Sequence, residues 1–294
     1  MPLILFHGWP DSTCRYLKLI PMLTDPARFG GDPADSFDVV VPSLIGDPGM
    51  SGSDTERPLA KIAELAHRLM TEELGYRRYG AGGGDGGSPI SQILGVRHPD
   101  SIIGLHLTDI GFPILMANFP DLSDAEREYL AASQTRGFEE GAYAVLQGTK
   151  PQTLAYGLND APAGYAAWII EKFRTWSDCD GDLETVYSKD ELLTNVMLYW
   201  TGGPSVRALS YREEWISGSL APDQRVDVPV GLALPPKDID LLPPREYAER
   251  NLKDIRRWTV LERGGHFAPM EVPDLMAREI RAFFRPLRNL PASA

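Results

Sequence analysis

The chain reads as an α/β protein whose mostly parallel sheet is interrupted by an inserted helical cap. Short apolar runs alternate with segments of helical spacing toward both ends, which is how strands joined by crossover helices look in sequence. From residue 113 to 218 the strand signal fades and helical patterns take over. Residues suited to catalysis stand just after predicted strands on both sides of that block. The expected division is therefore a core of residues 1–112 and 219–294, with 113–218 as the cap.

The apolar run 3–6 predicts a buried strand, and 37–42 a second. Residues 59–74 have helical spacing, with Leu59, Ile62, Leu65, Leu69 and Met70 on one face. A weak strand at 78–81 runs into a glycine cluster, and a helix over 90–96 follows. Strands are expected at 102–108, 228–234 and 257–261, with a closing helix over 275–284. Inside the middle block, helices are expected over 123–132, 138–146, 165–176 and 189–199. There is no internal repeat and no low-complexity tract.

At 294 residues the chain can bury a large core, and 43 % apolar with 24 % charged residues is an ordinary globular balance. A formal charge of −12 argues against nucleic-acid binding, which draws on clustered Lys and Arg, and against attraction to anionic membranes. Cys14 and Cys179 are too few and too distant for a disulfide framework or a metal site. They are expected as free thiols, which fits a cytoplasmic location. The N-terminal residues lack the basic start and long apolar run of a signal peptide, and no stretch is long enough to span a bilayer.

The most informative segment is Gly82-Gly-Gly-Asp85-Gly-Gly-Ser88, between a predicted strand and a predicted helix. Asp85 has small residues two positions away on both sides, at Gly83 and Gly87, as a strained strand-to-helix elbow requires. A solvated Asp in a glycine-rich turn would explain this segment if it stood alone. His7-Gly8-Trp9-Pro10, however, follows the first strand, where a loop N–H can help hold an oxyanion; Trp9 and Gly86 would be the pair of donors. Arg263-Gly-Gly-His266 places an imidazole on a late loop, while His67, His98 and His106 fall in helix or strand patterns. Asp238 follows the preceding strand, 28 positions before His266. The order nucleophile, acid, histidine is that of the α/β-hydrolase fold.

With these motifs in place the chain resembles the microsomal-type epoxide hydrolases, bacterial and juvenile-hormone members included. The resemblance runs over nearly the whole chain. It rests on 3–10, 30–35, 83–88, Gly148-Thr-Lys-Pro151, Leu158-Asn-Asp160, Leu193-Thr-Asn-Val-Met-Leu-Tyr-Trp200 and 263–268. It implies hydrolysis of an apolar epoxide to a vicinal diol through an ester on Asp85, with water activated by His266 and the imidazole held by Asp238. It further implies that two cap tyrosines, Tyr143 and Tyr211, hydrogen-bond the epoxide oxygen, and that Tyr199 packs rather than reacts. No metal or organic cofactor is called for. A homo-oligomer remains compatible.

Two departures bear on this. Family members usually carry Trp directly after the nucleophile, where this chain has Gly86; reduced activity is an expectation. They also have a long region before the His7-Gly-Trp-Pro strand, so one edge of the sheet is expected to lie open. The alternatives are a haloalkane dehalogenase-like hydrolase, which needs indole N–H groups that Gly86 does not provide, and a catalytically impaired α/β-hydrolase-like protein.

Overall fold

The computed structural model describes residues 1–44, 59–111, 119–202 and 225–288. Among them a single sheet is built from β1 (Pro2–Phe6), β2 (Asp38–Val40), β3 (Tyr79–Gly83), β4 (Ile102–Leu107), β5 (Val226–Leu234) and β6 (Leu252–Val260). Its order is β2-β1-β3-β4-β5-β6, and every neighbouring pair is parallel. Phe6 lies opposite Gly83, and Gly83 opposite Leu107. The strands thus end level, and the loops that leave their C-terminal ends open on one side, the usual place for a site in a parallel sheet.

Helices α1 (Leu19–Thr24), α2 (Leu59–Arg68) and α3 (Gly87–Arg97) lie among the first four strands. Between β4 and β5 the described residues hold five helices and no strand: α4 (Asp124–Glu140), α5 (Ala142–Thr149), α6 (Pro151–Asp160), α7 (Pro162–Trp176) and α8 (Lys189–Gly202). Then come α9 (Arg245–Ala248), α10 (Ala268–Glu271) and α11 (Pro273–Phe284).

Strand alternation sorts the side chains into two cores. Ile4 and Phe6 pack with Ala63, Met70, Ile90 and Leu94 of the α2–α3 side. Leu3 and Leu5 pack with Leu19, Leu23, Ile280 and Phe284 of the α1–α11 side. A third cluster joins the helical block to the strand-end loops, with Trp9 and Phe267 among Tyr165, Ile169, Phe173, Trp176 and Tyr199.

Several elements differ from their sequence expectation. The buried stripe of α2 and the turn after it is Leu59, Ala63, Ala66 and Met70, while Leu65 is 40 % exposed. The two alanines form the stripe, and a pattern built on large apolar residues passes over them. α4 runs on through the expected gap to Glu140, started by a reciprocal cap between Ser123 and Glu126; Phe138 on it is 91 % exposed. α6 was not expected, although Pro151 suits a first helical turn and Pro151, Leu154, Ala155 and Leu158 recur at helical spacing on its more buried face. β6 is longer than expected and β2 shorter; both border the sheet, where one strand side has no partner to enforce apolar alternation. No helix among the described residues is long and apolar enough to cross a membrane.

Candidate active site

The turn between β3 and α3 carries Asp85 at φ 53, in the left-handed region that a non-glycine residue seldom occupies. Its neighbours must be small for a measurable reason. A Cβ on Gly83 would stand 2.5 Å from the Phe6 carbonyl oxygen, and one on Gly87 2.2 Å from the same atom. The backbone therefore passes tightly against β1 on both sides of Asp85 and lifts its carboxylate clear of the strand ends. The Asp85 N–H is taken up by Asp109 Oδ2 at 2.8 Å.

Asp85 Oδ1 accepts two backbone N–H groups, from Trp9 at 3.0 Å and Gly86 at 2.5 Å. Trp9 can come this close because Gly8 precedes it: a Cβ there would stand 2.0 Å from Oδ1. The Trp9 loop is tied down from beneath and above. Gly8 N–H donates to Asp11 Oδ1 at 2.9 Å, and Asp11 forms a fully buried ion pair with Arg15. Burial opposes the Asp11 charge, but Arg15 and His7 outweigh it and hold the carboxyl far below its usual range. From the helical block, Tyr199 donates to the Asp11 carbonyl at 2.5 Å and Asn195 to the Pro10 carbonyl at 2.8 Å.

His266 follows β6. Its Nδ1 lies 2.7 Å from Asp238 Oδ1, and its Nε2 faces Asp85 Oδ2 at 3.5 Å. Burial favours the neutral ring, yet the two carboxylates prevail and raise its pKa well above that of a free histidine. Burial likewise opposes ionisation of Asp85, and His266 with the two N–H donors overcomes it, so its pKa is lowered. The result is an ionised pair: one carboxylate oxygen bound by backbone amides, the other facing the imidazolium. The His266 loop is fixed by Glu271, which accepts the N–H groups of Gly265 and Phe267 at 2.9 Å each, and by Arg15, whose Nη2 donates to the His266 carbonyl at 2.9 Å. Trp176, the last residue of α7, takes the His266 N–H on its carbonyl at 2.8 Å and sets its ring edge-on to the imidazole, centroids 5.2 Å apart.

Five of the seven residues singled out from sequence thus come together: Asp85, Gly86, Trp9, Asp238 and His266. Tyr143, on α5, stacks on the Trp9 indole with centroids 4.6 Å apart and planes at 12°, and it also meets Trp176. It thus packs against the loop whose Trp9 N–H binds Asp85. Tyr211 lies outside the described residues. Tyr199, expected to pack, is buried and also bonds the Trp9 loop. Gly86 has ordinary φ −54, and a Cβ there would meet Gly8 Cα at 3.7 Å, an ordinary contact, so the backbone there does not demand glycine.

Asp109, Arg15, Glu271 and Trp176 escaped the sequence reading. Each acts on a backbone group of the site, Glu271 from four and six residues away and the other three from distant stretches of chain. The only local signal was Asp11 followed four residues later by Arg15. Among the described residues no cluster of His, Cys, Asp and Glu could hold a metal ion.

No protein-family model matches the chain. Among curated proteins it is 40 % identical to a candidate epoxide hydrolase of Stigmatella aurantiaca, over 98 % of this chain and 65 % of that one. It is 34 % identical to the juvenile hormone epoxide hydrolase of Bombyx mori, over 99 % of this chain and 68 % of that one. The chain therefore spans about two thirds of the length of these relatives. The crystal structure of the silkworm juvenile hormone epoxide hydrolase superposes with a TM-score of 0.83 at 29 % identity, covering 98 % of this chain and 72 % of that one. Sequence, sheet order and strand-end geometry agree: the chain belongs to the epoxide hydrolase family, on the α/β-hydrolase fold.

Proposed function

We propose that this chain opens an apolar epoxide and releases a vicinal diol, with Asp85 as nucleophile, His266 as base and Asp238 as the acid that orients it. The observation that carries the proposal is the unequal treatment of the two Asp85 oxygens. Oδ1 is held by two backbone N–H groups, while Oδ2, the proposed attacking atom, faces His266 Nε2 at the longer distance of 3.5 Å. A carboxylate oxygen can displace an epoxide C–O bond from behind, forming an alkyl ester as the ring oxygen leaves with the bonding pair. Tyr143 and Tyr211, from the proposed cap of residues 113–218 inserted in a core of residues 1–112 and 219–294, are the proposed donors that protonate that oxygen. Stacking of Tyr143 on Trp9, whose N–H binds Asp85, supports its part.

The second half reverses the charge flow. Alkylation removes the negative charge of Asp85, and with it one of the two carboxylates that hold the proton on His266. The imidazolium then returns that proton to the phenolate left by ring opening, and the neutral ring takes one from water as the water oxygen adds to the carboxyl carbon. The charge returns to Oδ1 between the Trp9 and Gly86 N–H groups, the Cγ–Oδ2 bond breaks, and Oδ2 leaves in the diol with the proton that His266 took from water. Asp238 keeps Nδ1 engaged and stabilises the imidazolium. No step calls on a cofactor. The cytoplasmic location suggested by the free thiols belongs to the same proposal.

A single turnover in ¹⁸O-water with enzyme in excess tests this. The first diol is expected to emerge unlabelled, with the label in the peptide that contains Asp85, and Asp85→Ala is expected to form no adduct. Solvent oxygen in the first diol would reduce Asp85 to a general base.

A further inference from the structure

We propose that Asp109 is a positioning residue for Asp85 whose negative charge speeds ester formation but not ester breakdown. This rests on Asp85 being the nucleophile. Asp109 stands two residues past β4, beside the strand that ends at the elbow. Its Oδ2 accepts the Asp85 N–H and its Oδ1 the Gly111 N–H, both at 2.8 Å. It is 5 % exposed, and among the described residues it forms no ion pair.

A neutral amide could accept the Asp85 N–H at less cost, because a buried carboxylate without a counter-ion is expensive. A carboxylate accepts from Asp85 and Gly111 together, and it also sets a negative charge beside Asp85. The groups that face it are Asp85 on the elbow, Ser88 on α3, Thr108 next to it in the chain, Asp238 and Asp240 after β5, Tyr129 on α4, and Tyr16 in the turn before α1. Burial, with Asp238 and Asp85 adding to it, pushes its pKa up to about 6 against the hydrogen bonds from Ser88 and Asp85. Asp109 is thus charged at neutral pH and loses its charge in mild acid.

Asp85 is an anion before attack and neutral as an ester. A second anion nearby raises the energy of the starting carboxylate and leaves the ester untouched, so it lowers the barrier to alkylation. In the second half, negative charge builds again on Oδ1, and the same neighbour opposes it. The N–H bond, in contrast, fixes the elbow that both halves use. Charge and the Asp85 contact are separable, because Asn can keep an acceptor for the Asp85 N–H and removes the charge; its NH2 then replaces the acceptor of the Gly111 N–H, and the carboxyl titration of Asp85 reads the charge apart from that loss.

Pre-steady-state kinetics with a fluorescent epoxide would follow the two halves separately in Asp109→Asn. Ester formation is expected to slow on the order of 10-fold, with ester breakdown unchanged or faster. The wild-type rate of ester formation is expected to fall as pH drops through about 6, and that limb is expected to vanish in the variant. Equal slowing of both halves, or a limb that stays in place, would mean a structural role alone and overturn the proposal. A readout without turnover separates this from failure of the nucleophile assignment. In protein carrying ¹³C-labelled aspartate carboxyls, the Asp85 signal should titrate at lower pH in Asp109→Asn than in wild type. An unmoved Asp85 titration overturns the charge coupling whatever the activity.

Discussion

The sheet half of the site and its helical half are held by different forces. At the strand ends, Asp85, Trp9 and His266 are placed by directional bonds to backbone atoms. Asp109 takes the Asp85 N–H, Asp11 the Gly8 N–H, Glu271 the amides on both sides of His266, and Arg15 its carbonyl. Tyr143, on the helical side, is placed by ring stacking on Trp9 and Trp176, with the Lys172 ammonium 5.3 Å from its centroid. Hydrogen bonds weaken steeply with angle, whereas stacked rings slide at little cost. In the proposed reaction the groups that make and break the ester would sit on the stiff half, and the Tyr143 hydroxyl on the more adaptable one.

The largest test of this contrast removes the base. His266→Gln is expected to lose steady-state turnover by a factor on the order of 10⁴, while ester still forms and accumulates, visible by mass spectrometry of the Asp85 peptide. Loss of ester formation to the same degree would show that the two halves are not separable at His266. The same variant sharpens the electrostatics. His266 holds its proton more tightly folded than unfolded, because Asp238 and Asp85 outweigh burial. Its contribution to stability is full below the unfolded pKa of about 6.5 and is lost as pH rises through the raised folded value. Denaturant melts should show wild type losing more stability than His266→Gln between neutral and alkaline pH.

The next effect lies on the adaptable half. Tyr143→Phe keeps the stacked ring and removes the hydroxyl, so ester formation should slow on the order of 10²-fold with little change in melting temperature. Unchanged ester formation would remove Tyr143 from the reaction and leave it as packing.

The smallest effect tests the link between halves. Tyr199→Phe deletes the bond to the Asp11 carbonyl within a buried contact. It should cost about 1–2 kcal/mol of stability and slow both chemical steps a few-fold, since both use the Trp9 N–H. A loss confined to one step would mean that Tyr199 does not act through that loop.

Local demands were legible in sequence. Asp85 between Gly83 and Gly87 announced a strained turn, and the structure has one at φ 53 against the Phe6 carbonyl. The alternation of strands and helices was legible too, since core-facing residues must recur at the period of their element. The inward stripe of α2 was less so: Ala63 and Ala66, not Leu65, face the core. How tightly each carboxylate holds its proton could not be read at all. Asp85 and Asp109 are the same residue type just past neighbouring strands. Asp85 is pulled below its usual pKa by His266 and two amides, while Asp109 is pushed up to about 6 by burial. The sequence by itself determined the turns, the periods and the order of the reactive groups, because steric rules act between near neighbours. Only the tertiary structure decided their electrostatics and support. Arg15 reaches His266 across 251 residues of chain, and Tyr199 reaches Asp11 across 188, and no short-range pattern encodes such pairs.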